Sequence, residues 1–177
     1  MTRDTISTSL FASTAALPIQ SASQAPVNQH TRDEQFQEWQ LRRVEKSGHQ
    51  LSMLRFERSQ PHYLFAKLVI ELNWTADDQM LGVLAMPPGL KASEGVRIQL
   101  DDGHFSTKLP FLKTGPSGGI VRLDIKSEAL EHLRNAHRLN ILAHPAAGKR
   151  KLLFSVPLDG FVEASDRLKQ INNDRII

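Results

Sequence analysis

The sequence predicts a mainly β fold, an antiparallel β-sandwich or partly open barrel of seven to nine strands with one inserted helix and a C-terminal helix. Three observations predict it. From Phe36 onward the apolar runs are short and end at turn residues. Val96, Ile98 and Leu100 alternate with Arg97 and Gln99, the period of two expected of a half-buried strand. Asp102 with Gly103, and the segment Gly115, Pro116, Ser117, Gly118 and Gly119, fall between such runs, where hairpin turns belong. Residues 1–32 stand apart as a tail, disordered or signal-like, and residues 33–177 read as a single β-rich domain.

Each element follows from local chemistry. Trp39 and Leu41 alternate with Gln40 and Arg42, and a second strand through residues 51–56 follows the break at Ser47 and Gly48. Residues 63–72 are too apolar for an exposed strand and predict a central one. Residues 80–86 form another, stopped at Pro87, Pro88 and Gly89 because proline has no N–H to give a ladder. The strand at 96–100 turns at Asp102 and Gly103 into Phe105, Thr107 and Leu109, and the glycine-rich turn joins 109–112 to 120–125. Ser127 is the expected N-cap of a helix that carries Ala129, Leu130 and Leu133 and runs to His137. Residues 139–143 and 152–156 flank a Pro-Ala-Ala-Gly loop as a final strand pair. Phe161, Ala164, Leu168 and Ile171 recur at steps of three and four, which predicts an amphipathic helix from 161 to about 171.

Composition narrows the function classes. The 177 residues carry 22 Lys and Arg against 19 Asp and Glu, a formal charge of +3, which does not by itself imply nucleic acid, and the basic cluster is narrower than the face that nucleic-acid readers show. Cysteine is absent, which excludes disulfides, thiolate catalysis and cysteine-ligated metals. No stretch reaches the ~18 to 20 apolar residues of a transmembrane helix. The seven histidines show no metal-ligand spacing, no serine sits in a nucleophile motif, and the glycine-rich turn lacks the lysine of a phosphate loop. Hence no catalytic residue, cofactor or metal is expected. Asp101 and Asp102 are expected as solvated turn charges. Two segments remain as candidate partner contacts: Trp74 with Asp77 and Asp78, and the basic cluster Lys149, Arg150 and Lys151 joined by Arg134 and Arg138.

A series of short motifs runs through this frame. In order they are Trp39-Gln-Leu41-Arg42, Met86-Pro-Pro-Gly-Leu90 with Glu94 and Gly95, Asp101 followed by Leu109-Pro-Phe111, the glycine-rich turn, and Leu158-Asp-Gly-Phe161 with Ala164. The series resembles the invasion-associated locus B family over about residues 36–171. The resemblance implies a small β-rich bacterial protein of the periplasm or cell envelope, non-catalytic, acting through an unidentified protein partner; it also implies that Trp39 and Phe161 serve the core. If residues 1–32 are not a signal, the implication is a cytoplasmic copy of the fold, for which a histidine and carboxylate hydrolase or a nucleic-acid binder is the alternative. The chain departs from the family pattern at its cysteines. The places where the resemblance leads one to expect them hold Arg43 or its neighbour, Leu51 or Ser52, Thr114 and Gly119.

Overall fold

Pro110 divides the chain between two sheets, and the architecture follows from that corner. The computed structural model describes residues 32–46, 48–59, 67–75, 77–103, 105–148 and 150–174. Among these residues eleven strands occur: β1 (Arg32–Phe36), β2 (Trp39–Lys46), β3 (His49–Ser59), β4 (Lys67–Trp74), β5 (Met80–Met86), β6 (Val96–Leu100), β7 (Ser106–Leu109), β8 (Phe111–Gly115), β9 (Gly118–Ile125), β10 (Arg138–Ala143) and β11 (Leu152–Pro157). Helix α1 (Ser127–Asn135) joins β9 to β10, and α2 (Phe161–Asn173) closes the described chain. All pairings are antiparallel. A seven-stranded sheet has the order β1-β2-β3-β4-β5-β9-β8, and a four-stranded sheet the order β11-β10-β6-β7.

The expected mainly β sandwich is therefore present, with more strands than the seven to nine anticipated. Two causes account for the surplus. Four of the five residues of β1 are polar and only Phe36 is apolar, so it has no apolar alternation to betray it, yet it pairs along its length with β2. The run at 109–112 is split at Pro110, with β7 in the small sheet and β8 in the large one. A proline without an N–H cannot continue either ladder and suits a strand that changes sheets. Gly95 permits the corner: a Cβ there would press into the Leu109 carbonyl, with Pro110 Cα 3.4 Å away.

Period-two patterning decides what faces inward. In the large sheet, Trp39 and Leu41 stand opposite Phe56 and Leu54, Ile70 lies beside Phe56 and Leu84, and Leu84 beside Val121. The small sheet contributes Val96, Ile98, Leu100, Leu139, Ile141, Ala143, Phe154 and Val156, all buried in the same cluster. Each fully buried side chain of this kind contributes about 1.5 to 3 kcal/mol, so the interlayer is the main source of stability.

Three local differences from expectation have simple reasons. The central strand begins in the description at Lys67 and continues to Trp74, two residues past its expected end, while residues 63–66 lie outside the described set. Ser127 is the first helical residue rather than the N-cap; Lys126 holds that place, extended and without a side-chain capping bond. The helix stops at Asn135, where Ala136 N–H bonds the His132 carbonyl, so His137 lies in the link to β10 and not on the helix.

Helix α2 packs across β1 to β4 of the large sheet. Phe161 sets its ring 5.1 Å from Trp39, and Ala164 and Leu168 are wholly buried. At the helix flank Glu34 of β1 pairs with Arg43 of β2 and receives Arg167 Nε of α2 at 3.0 Å, joining three elements through one carboxylate. The outer edge of β11 is blocked by side chains. Trp39 Nε1 donates to the Pro157 carbonyl at 3.0 Å and Arg58 to that of Ser155, and Pro157 has no N–H, which discourages strand addition at this edge.

On the outer face of the large sheet Glu57 is held between Lys67 and Arg55. Hydrogen bonding from Lys67, then from Arg55, keeps its carboxyl below the ordinary glutamate range. A depressed folded pKa stabilises above the unfolded pKa and the contribution is lost as pH falls through the folded value. Glu57→Gln is therefore expected to flatten the acid limb of the stability curve below the ordinary glutamate titration while leaving the curve's shape near neutrality unchanged. Urea midpoints measured across that range check it, and parallel wild-type and variant limbs would refute it.

Candidate functional site

Trp74 and Asp78, four residues apart, and the distant Arg134 converge on α2. Trp74 is half-buried at the end of β4, and its Nε1 donates to the Ser165 carbonyl at 2.9 Å. Lys169 lies over the indole, 5.0 Å from the ring centroid, and bonds Asp78 Oδ1 at 2.8 Å. The turn that presents Asp78 bends through φ +56°, a conformation aspartate tolerates better than most residues. Arg134 of α1 forks onto Asp166, with Nη1 to Oδ1 at 2.7 Å and Nη2 to Oδ2 at 3.0 Å. That bonding raises the pKa of an already permanent cation. These side chains thus clamp α2 to the turn after β4 and to α1, with Asp77 exposed beside them.

The basic candidates do not form one patch. Arg138 opens β10 and is exposed, opposite Pro157 at the end of β11, whereas Arg150 and Lys151 lie before β11 begins. A six-residue strand separates the two ends by about 17 Å at ~3.4 Å per step, and Arg134 is engaged with Asp166. Arg150 and Lys151 are exposed on the loop after β10, and Lys149 lies outside the described residues. The expected companionship of Arg134 and Arg138 with the loop cluster is corrected accordingly.

His104 also lies outside the described residues. His132 is half-buried with its ring 6.4 Å from Phe105, and among the described residues its ring bonds no carboxylate. No group of three or more His, Asp or Glu suited to a metal occurs among those residues. Asp101 and Asp102 are exposed in the turn after β6. Desolvation pushes the Asp101 carboxyl up, but backbone N–H groups at Arg138, at His137 and of its own residue outweigh it and leave the carboxyl below the usual aspartate range. Its role is to tie that turn to the start of β10. The residues missed in sequence are Ser165, Asp166 and Lys169. Asp166 and Lys169 lie on the polar stripe of an amphipathic helix, which reads as solvated surface, whereas Ser165 is buried and offers its backbone carbonyl; the partners Trp74 and Arg134 lie 91 and 32 positions away.

The family model for the invasion associated locus B (IalB) protein matches residues 39–169, from the core tryptophan to the lysine over Trp74. The chain belongs to the IalB family. Invasion protein B homologs of Brucella abortus strain 2308 and of Brucella abortus biovar 1 strain 9-941 are each 24% identical over 150 residues, covering 85% of this chain and 86% of the relative. The crystal structure of invasion associated protein B from Bartonella henselae superimposes with a TM-score of 0.72 at 23% identity, covering 81% of this chain and 98% of the other, and so shares the fold. These names describe invasion and not a catalysed reaction. Among the described residues no helix is long and apolar enough to cross a membrane.

The IalB motif residues are architectural in this structure. Trp39 and Phe161 are buried against each other, and Gly95 and Gly160 each bring a strand or helix start against a carbonyl. The departures at the cysteine positions also acquire geometry. Arg43 stands directly opposite Ser52, and its neighbour Val44 opposite Leu51, in β2 and β3, and Thr114 stands opposite Gly119 in β8 and β9.

Proposed function

We propose that this IalB-family protein is a non-catalytic binding or structural component of the bacterial cell envelope, acting through recognition of a protein partner. The observation that carries this reading is the family match from β2 through β11 and into α2, with relatives named for invasion. The charged turns support it. Asp77 beside the α2 clamp, Arg138 at the head of β10, and Arg150 and Lys151 on the loop before β11 are exposed side chains on a rigid scaffold, the arrangement in which loops carry recognition. Trp74, Asp78 and Arg134 take part by holding the surface in shape.

Two measurements test the proposal. Cell fractionation with N-terminal sequencing is expected to find the protein in the periplasmic fraction without its first 20 to 30 or so residues, as cleavage of a signal-like tail requires. An intact start at Met1 or Thr2 in the cytosol overturns envelope residence. A photo-crosslinking amino acid placed at Asp77 or at Arg150 in cells is expected to yield one adduct of defined mass, and charge reversal at Arg150 and Lys151 to diminish the adduct formed at Arg150. Crosslinking at neither place overturns recognition through these turns.

A further inference from the structure

Between the sheets, beneath α1, lies a cavity of about 480 Å³ that opens at the surface where β7, β9 and α1 meet. Its size falls within the ~300 to 1,000 Å³ of small-molecule sites. Ile70, Leu72, Ile98, Leu109 and Leu133 wall it, and the buried Trp39 and Phe161 belong to the same lining. Thr107 alone brings a polar side chain inward from β7; the charged residues of the lining, Arg122, Asp124, Lys126 and Glu128, are exposed and belong to the rim.

We propose that this cavity binds a single alkyl chain of an amphiphile, with the chain inside and the head at the rim. The walls select the chain. A ligand group carrying donors or acceptors would lose its water and find almost no partners among these side chains, whereas methylenes leave water at a gain and meet aliphatic surface. The rim selects the position of the head but not its sign, because two cations and two anions stand there together. Anionic and neutral heads on the same chain therefore bind with affinities within a few-fold of each other. The small sheet leaves room for the cavity because its edge strand β7 has only four residues before Pro110 carries the chain across to β8.

The test uses the full chain and Trp39 itself as reporter, in a Trp74→Phe background that leaves Trp39 as the single indole, since the chain has two tryptophans. Dodecanoate and dodecanol are each expected to change Trp39 emission saturably. Ala129→Trp on α1 and Thr107→Phe on β7 fill the mouth from two elements and are each expected to weaken binding at least tenfold, with a thermal melt of each variant showing that it folds. Titration with phosphatidylcholine and phosphatidylglycerol vesicles identifies the source of the chain: a Trp39 response to vesicles that both variants lose assigns it to membrane lipid, and a response to the dissolved amphiphiles alone assigns it to free ones. No saturable response to either dodecyl compound overturns the proposal, as does a response that folded Ala129→Trp and Thr107→Phe leave intact. Either result leaves the recognition surface of the charged turns untouched.

Discussion

Trp39→Ala is expected to lower stability by about 3 to 5 kcal/mol, the range for removing a large aromatic side chain from a core. Trp39 is 1% exposed, and its ring lies 5.4 Å from Phe56 and 5.1 Å from Phe161. Truncation does more than open a space between β2 and α2. It leaves the Pro157 carbonyl, which accepts from Trp39 Nε1 at 3.0 Å, without that partner at the edge of the small sheet. Trp39→Phe separates the two effects: most of the ring is kept and the hydrogen bond is lost, so a loss of about 1 to 3 kcal/mol is expected. Urea unfolding of the three proteins with a common m-value checks the order. A Trp39→Ala unfolding free energy within about 1 kcal/mol of wild type would contradict the packing described, since core truncations of this size cost more.

Gly160→Ala carries the second large effect. Gly160 precedes α2 at φ +84°, and a Cβ there would meet the Phe36 carbonyl, whose carbon is 2.8 Å away. The left-handed backbone alone costs a non-glycine residue about 1 to 2 kcal/mol. The collision must add to that, because the obstacle is backbone of β1 and cannot rotate aside. Gly103→Ala supplies the comparison: φ is +75° and nothing lies within 4 Å of the added carbon, so only the conformational cost applies. Gly160→Ala is expected to destabilise by at least 1 kcal/mol or so more than Gly103→Ala, with both measured by thermal and urea unfolding. Equal losses would mean that β1 yields to α2 freely.

What the chain discloses before folding depends on whether the signal is local. The hairpin at Asp102 and Gly103, the turn between β8 and β9, and the helix spacing of Phe161, Ala164 and Leu168 all reside in a few adjacent residues, and each appears in the structure. β1 escaped because four of its five residues are polar, and its place depends on pairing with β2 and on the bond from Arg167 to Glu34, 133 positions away. The corner at Pro110 was half legible: proline marks a break, but that the two halves enter different sheets is decided by the whole topology. The candidate surface was legible as residue types and not as an arrangement. Nothing in spacing shows that Lys169 sits between Trp74 and Asp78, or that six residues of β10 part Arg138 from the loop cluster.

The facing of Arg43 with Ser52, and of Thr114 with Gly119, bears on how this chain dispenses with disulfides. A bridge at the first place would close a ring of about ten residues and at the second about six, and rings so short remove only about 2 to 3 kcal/mol of denatured-chain entropy each, against about 4.7 for a ring of a hundred. Either staple would fasten strands that already adjoin. Neither would tie one sheet to the other, so the distant connections of the sandwich make no demand on an oxidant, and the same chain can reach its native form in a reducing or an oxidising medium.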